Sequence, residues 1–197
     1  MARSFVYLYL VVLCAVLAGC GEDDYVPKPR GYYRIDFPKK AYTRFESQDC
    51  PYSFEYPIYA KVQRDTTFFG ARPDDPCWLN IEIPELSAMI HLSYKEINKE
   101  NNLEKLMEDA HKLSYKHTIK ADYIDETTVN TPQLKGIIYE IGGNSASNIQ
   151  FYMTDSTRNF VRGALYFNAP PNADSLAPVI KFVKQDMLHM INTLQWR

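Results

Sequence analysis

The chain begins with a short apolar run that ends at a cysteine, and this run decides how much of the sequence is available to fold. Met1-Ala2-Arg3 supplies one positive charge, and the segment from Phe5 to Leu17 is then almost entirely apolar. The run is about 13 residues long, whereas a helix that spans a bilayer needs roughly 20. This pattern is typical of a secretory signal peptide, which is removed from the mature protein. We therefore predict that residues 1–19 do not belong to the fold.

The end of the run predicts a lipid anchor. Leu17-Ala18-Gly19-Cys20 resembles a bacterial lipobox, in which small residues admit the processing peptidase and the cysteine becomes the lipidated N-terminus. An ordinary signal peptide with an incidental cysteine is the alternative. Each buried CH₂ of a lipid chain adds about 0.8 kcal/mol, so several acyl chains, palmitate among them, would hold Cys20 on a membrane. We expect a mature chain of 178 residues, numbered 20–197.

The residues after Cys20 bear on which membrane carries the protein. Gly21 follows the cysteine directly, where an aspartate would be the usual inner-membrane retention signal of enteric bacteria. The sequence therefore favours the outer membrane and leaves open its periplasmic or surface face. Glu22-Asp23-Asp24 resembles the surface-export tether of Bacteroidetes lipoproteins, and a solvated acidic linker is the alternative.

Charge is divided by sign along the chain. Residues 25–44, which we call the basic arm, contain six basic residues against Asp36 alone, whereas residues 45–197 contain 15 basic and 20 acidic residues. The whole chain is nearly balanced at a net charge of -2, which argues against a nucleic-acid partner. Pro27 and Pro29 favour an extended backbone at the start of the arm.

Two cysteines remain in the mature chain besides Cys20. Cys50 and Cys77 each lie beside a proline, and an exported protein folds in an oxidising compartment. We predict a Cys50–Cys77 disulfide that closes a loop of about 28 residues and stabilises the fold by about 3 kcal/mol. Two free, buried thiols are the alternative.

Two short runs resemble a known family. PKPRGYYRIDFP at residues 27–38 resembles the N-terminal signature of the gliding motility lipoprotein GldD family of Bacteroidetes, and PYSFEYPIYA at residues 51–60 resembles its second block. The resemblance extends over essentially the whole chain. It implies a cell-envelope lipoprotein that is needed for gliding and works with the type IX secretion machinery. It implies no catalytic residue.

The basic arm is the predicted partner-docking strip. Tyrosine and arginine are enriched in interface hot spots, and an extended segment loses little entropy when it docks. The residues of the predicted strip are Lys28, Arg30, Tyr32, Tyr33, Arg34 and Phe37. An arm packed on the protein's own surface is the alternative, and a role at the membrane surface is a further possibility because the arm follows the lipid closely.

Apolar periodicity predicts the fold of the remaining chain. Residues 78–83 and 89–94 alternate with period two and predict a hairpin, whereas residues 101–119 and 175–194 carry helical stripes. The other predicted strands are residues 54–56, 58–62, 123–129, 134–141, 148–153 and 159–167. This order predicts an α+β fold in which a single antiparallel β-sheet is covered by two main helices. By analogy it is similar to the PsbP and Mog1-like α/β/α sandwich.

The predicted domain organisation has three parts. Residues 1–19 form the signal peptide, residues 20–49 the lipid-anchored tether and arm, and residues 50–197 a single globular domain.

The sequence contains no recognisable catalytic motif. The four histidines, at positions 91, 111, 117 and 189, lack the paired spacing of metal ligands. Gly142-Gly143-Asn144-Ser145 lacks the glycine pattern and the lysine of a phosphate loop. We therefore expect no metal, no cofactor and no enzymatic activity. Three short Asp-Ser/Thr segments, starting at Asp65, Asp155 and Asp174, match a loose acceptor pattern for protein O-glycosylation, and turns or helix caps account equally well for the last two.

The sequence supports three functional hypotheses. The first is a non-enzymatic, lipid-anchored accessory protein that supports the gliding and type IX secretion machinery through contacts with other envelope proteins. The second is an envelope lipoprotein that binds peptidoglycan or a lipid ligand. The third is an uncharacterised hydrolase, which a deep pocket with converging histidine and carboxylate groups would favour.

Overall fold

The computed structural model describes residues 34–65 and 75–197. Residues 35–197 form one compact unit, the second of the two units of the chain. In the described residues of the second unit the strands are β1 (Tyr42–Phe45), β2 (Tyr52–Pro57), β3 (Lys61–Arg64), β4 (Leu79–Ile83), β5 (Ala88–Glu96), β6 (Ala121–Asn130), β7 (Lys135–Gly143), β8 (Ile149–Thr154), β9 (Asn159–Phe167) and β10 (Gln195–Trp196). The helices are α1 (Leu103–Tyr115) and α2 (Ala173–Asn192), and short 3₁₀ turns cover Pro84–Leu86 and Lys116–Ile119.

The strands form two antiparallel sheets. Seven of them pair in the order β3-β4-β5-β9-β8-β7-β6, and the other three pair in the order β1-β2-β10. The α+β class and the two main helices are confirmed, but the prediction of a single sheet was wrong. The three-stranded sheet was missed because its outer strands carry no alternating pattern. In β1 the two middle residues are both exposed, and β10 contains only two residues. Pairing with β2, and not their own side chains, makes these segments strands.

One face of the seven-stranded sheet forms the main core. Leu79, Ile81 and Ile83 of β4 are buried on this face, and β4 pairs with β5 in the hairpin that the alternation predicts. Helix α2 contributes Val183 and Met187 to the same apolar cluster. The three-stranded sheet packs into this cluster too, so the two sheets and α2 share one core.

The opposite face of the sheet carries helix α1. Leu106, Ala110 and Ser114 of this helix are buried, whereas Met107 and Leu113 from the same apolar stripe remain 38% and 37% exposed. The helix therefore covers only part of its own apolar surface. Its N-cap is Asn102, whose side chain accepts a hydrogen bond from the backbone N–H of Lys105.

The compact unit begins before the globular domain that the sequence predicts. It starts at Ile35, and not at residue 50. The reason is pairing, since β1 lies along β2 with Tyr42 opposite Pro57 and Phe45 opposite Phe54. Among the described residues, no helix is both long enough and apolar enough to cross a membrane.

Candidate functional site

Most of the predicted docking strip and the predicted lipidation site lie outside the described residues. These positions are Cys20, Lys28, Arg30, Tyr32 and Tyr33. Their roles remain predictions.

The last two residues of the predicted strip fall within the described part of the chain. Arg34 is exposed. Phe37 stacks on Phe182 of helix α2, with ring centroids 4.5 Å apart, and keeps 37% of its surface exposed. Phe37 therefore lies on the protein's own surface, as the packed alternative expects, and still presents an accessible edge.

A polar cluster three residues further along fixes the end of the basic arm to helix α2. We call Lys40, Tyr42, Tyr59 and Asp186 the anchor cluster. Asp186 is only 1% exposed. Its Oδ1 accepts from Lys40 Nζ at 2.7 Å and from the Tyr42 hydroxyl at 3.0 Å, while its Oδ2 accepts from the Tyr59 hydroxyl at 2.6 Å. A buried carboxylate is costly unless it is paired and hydrogen-bonded, and these three donors meet that requirement.

Contacts on either side extend the anchor cluster along the helix. Lys40 also donates to the carbonyl oxygen of Phe182 at 2.8 Å, and its ammonium lies 3.6 Å from the centroid of that ring. Tyr42 stacks on His189 with centroids 3.7 Å apart, and His189 Nε2 lies 2.7 Å from Glu55 Oε2 on β2. The arm is thus held by charge, hydrogen bonds and ring stacking together.

The electrostatics of the anchor cluster favour a structural role. Burial, the hydrogen bond to Asp186 and its negative charge raise the pKa of Tyr42 to about 12. The same three causes raise the pKa of Tyr59. Both phenols therefore stay protonated at neutral pH and act as hydrogen-bond donors. The arrangement can hold the chain in place, and neither phenol serves as a proton-transfer group near pH 7.

The two cysteines among the described residues are joined to each other. Cys50 and Cys77 form a disulfide with Cα atoms 5.4 Å apart, and both residues are buried. One cysteine lies shortly before β2 and the other shortly before β4, so the bond links the two sheets. The hydroxyl of Tyr52, the first residue of β2, also donates to the carbonyl oxygen of Cys77 at 2.6 Å.

The histidines occupy separate surroundings. His91 Nδ1 lies 2.6 Å from Asn80 Oδ1, and His111 stacks on Tyr115. Over residues 34–65 and 75–197, no group of three or more histidine, cysteine, aspartate or glutamate side chains could hold a metal ion.

The sequence analysis missed the anchor cluster, although one signal for it was present. Asp186 interrupts the apolar stripe of α2 between the buried residues Val183 and Met187. A single acid on an apolar helix face predicts a partner, and the basic arm is the segment richest in candidates. No periodicity could identify Lys40 and Tyr42 as those partners, because they lie more than 140 residues away in the chain.

No curated protein matches the chain. Among solved structures, the chain is similar to cyanobacterial PsbP (CyanoP) from Synechocystis sp. PCC 6803, at 13% sequence identity and a TM-score of 0.46, over 81% of this chain and 95% of that one. A likeness at this level carries no argument.

The comparison with protein families gives a match over nearly the whole chain. The family described as gliding motility lipoprotein GldD matches residues 22–196. This range contains the basic arm, the anchor cluster and both sheets. The resemblance of residues 27–38 and 51–60 to that family is thereby confirmed, and the chain belongs to the gliding motility lipoprotein GldD family, a family of membrane-anchored envelope proteins.

Proposed function

We propose that this protein is a non-enzymatic accessory lipoprotein of the outer membrane that supports the gliding and type IX secretion machinery by binding other envelope proteins. Membership of the gliding motility lipoprotein family supports the link to gliding. The observation that carries the mode of action is the anchor cluster, which fastens the end of the basic arm to helix α2 through Asp186.

The anchor cluster gives the arm a defined origin. A fully extended chain spans at most about 3.6 Å per residue, so the segment from Cys20 to Ile35 reaches at most about 54 Å. With Cys20 lipidated, the docking strip would work in the space next to the membrane. A partner that binds the strip would then be coupled to the folded unit through Lys40 and Tyr42.

The docking role is tested with variants of the arm. We expect Arg30→Ala and Tyr33→Ala to leave the melting temperature nearly unchanged and to reduce both partner capture and colony spreading. Capture is measured in living cells with a photoreactive amino acid placed in turn at positions 28 to 37, followed by identification of the cross-linked protein. Arg64→Ala and Tyr123→Ala are the matched controls, since Arg64 pairs with Asp49 at the surface and Tyr123 is 55% exposed.

Two results would count against this role. A large fall in melting temperature in the arm variants would show that the arm is packed on the protein's own surface. Normal spreading and normal secretion after deletion of the whole protein would remove the link to the machinery.

The ligand-binding hypothesis is a second candidate, because the structure contains a cationic cavity beneath helix α1. Pull-down with purified cell wall tests the peptidoglycan form of this hypothesis. The residues that line the cavity bear on the other form of the hypothesis, in which the ligand is a lipid.

A further inference from the structure

A groove runs between helix α1 and the seven-stranded sheet, on the face away from the main core. It consists of two cavities of about 370 and 430 Å³. Leu113, Lys116 and Arg162 line both cavities, which therefore adjoin. We call them together the α1 groove. Each volume falls within the range of about 300–1,000 Å³ that is typical of ligand sites.

Arg162 of β9 stands where the two cavities meet. Its Nη2 donates to Gln150 Oε1 at 2.5 Å. Among the described residues, neither Arg162 Nε nor Gln150 Nε2 has a hydrogen-bond partner, although both atoms are buried. A buried donor without an acceptor is costly and therefore rare. Of these two side chains, Arg162 lines both cavities, so the buried, unpaired Nε indicates that an oxygen acceptor belongs beside its guanidinium.

The charges around the groove favour an anion. The lining residues with a full charge are four cations (Lys95, Lys112, Lys116 and Arg162) and one anion (Asp109). Lys112 is already paired with Glu108 at 2.6 Å, so the remaining balance is +2 with histidines neutral, in contrast with the net charge of -2 of the whole chain. Partial burial and, to a smaller extent, the positive charge of Arg162 lower the pKa of His117, which lines the second cavity with Arg162.

The rest of the first cavity is apolar. Its apolar lining residues are Trp78, Leu106, Ala110, Leu113 and Phe160. Leu113 is 37% exposed, so its side chain remains available for contact. A ligand that complements the groove must therefore combine an apolar body with one anionic end.

We propose that the α1 groove binds a single acyl chain that ends in an anionic head group, either a carboxylate or a phosphate monoester. The head accepts a charge-assisted hydrogen bond from the Arg162 guanidinium, with Lys116 nearby in the lining of both cavities. The chain lies over Leu106, Leu113 and Phe160. This proposal names a ligand class for the second candidate function and does not depend on the gliding role.

The test uses the full-length lipoprotein in phosphatidylcholine nanodiscs and a palmitic acid that carries a photoreactive diazirine. We expect labelling within residues 103–117 and 159–167, mapped by mass spectrometry of the digested protein. Excess palmitate or lysophosphatidic acid should suppress this labelling, and palmitic acid methyl ester should not. The stronger of the two suppressing competitors identifies the head group.

Variants isolate the role of the buried cation. Arg162→Gln should reduce groove labelling about tenfold or more, because a charge-assisted hydrogen bond is lost. Arg158→Gln is the matched control and should label normally, since Arg158 is exposed and pairs with Glu96. If Arg162→Gln does not fold, Lys116→Gln takes its place in the test, because Lys116 is exposed. We expect Lys116→Gln to reduce groove labelling severalfold.

Any of three results would overturn the proposal. The first is undiminished labelling in the folded variant that loses the cation. The second is equal suppression by palmitate and by its methyl ester. The third is labelling that maps only outside the groove.

Discussion

At the scale of single residues, Asp186 shows why a carboxylate can occupy an otherwise apolar helix face. The side chain is buried on the core side of α2, where an unpaired charge would destabilise the fold strongly. One ammonium and two phenols donate to its two oxygens. Lys40 and Tyr42 lie at the end of the arm and Tyr59 lies in the segment after β2, so a single side chain holds two separate parts of the chain on the helix.

The first prediction concerns this residue. We expect Asp186→Asn to lower the free energy of unfolding by about 2–3 kcal/mol, because Lys40 loses its counter-ion and the two phenols lose a charged acceptor. Denaturant unfolding gives the magnitude. Amide hydrogen exchange over residues 40–45 should rise more than exchange in β7 or β8. Asp109→Asn at an exposed position of α1 is the control and should change stability by less than about 0.5 kcal/mol. An equal effect of both substitutions would show that Asp186 has no anchoring role.

At the scale of elements, the turn between β8 and β9 depends on one aspartate. Asp155 Oδ1 accepts from the backbone N–H groups of Thr157, Arg158 and Asn159, at 2.8–2.9 Å, and its Oδ2 accepts from Asn159 Nδ2 at 2.7 Å. Ser156 within the turn has a positive φ of 67°. Partial burial raises the pKa of Asp155, but the hydrogen bonds outweigh burial and bring the pKa down from 3.8 to about 2.

The second prediction follows from this lowered pKa. The ionised Asp155 stabilises the fold fully above pH 4, and this contribution is lost as the pH falls from about 4 to about 2. The reason is that Asp155 has the higher pKa in the unfolded chain, so protonation at these pH values favours unfolding. After allowance for solvent screening the contribution is about 1 kcal/mol. The stability difference between the native protein and Asp155→Asn should therefore be largest above pH 4 and shrink towards pH 2. A difference that stays constant across this range would contradict the prediction.

At the scale of the whole molecule, one covalent bond and one shared core join the two sheets. The Cys50–Cys77 bond crosses from the segment before β2 to the segment before β4. It closes a loop with a sequence separation of 27 residues. The three-stranded sheet depends on this connection because its outer strands, β1 and β10, contain only four and two residues.

The third prediction concerns the disulfide. Replacing both Cys50 and Cys77 with alanine should lower the free energy of unfolding by about 3 kcal/mol, because the unfolded chain gains the entropy of an open loop. Denaturant unfolding with and without reductant measures the effect. The native protein in reductant should approach the stability of the double variant, whose own stability should not respond to reductant. Equal stability of the native protein in both conditions would contradict this expectation.

Some elements have the bounds that the sequence predicts, and others do not. Strand β9 has the bounds that its sequence predicts, residues 159–167, because its apolar pattern and flanking turn are local signals. Helix α1 was predicted over residues 101–119 and spans Leu103–Tyr115, because the cap on Asn102 and the tightening into a 3₁₀ turn depend on a single side chain and on the neighbouring strand. Strands β1 and β10 have no local signal, since partner strands alone make them extended.

Local patterns were enough to predict the family, the α+β class, the two helices and most strands, because short motifs and apolar periodicity are properties of neighbouring residues. Three features could be seen only in the folded chain: the division into two sheets, the hydrogen bonds from Lys40 and Tyr42 to Asp186, and the contact of Arg162 with Gln150 beneath α1. Each of these depends on residues that are distant in the chain. The free energy of burying a charge or of pairing an edge strand depends on the partner that the fold places next to it. Local sequence patterns do not indicate which residue that partner is.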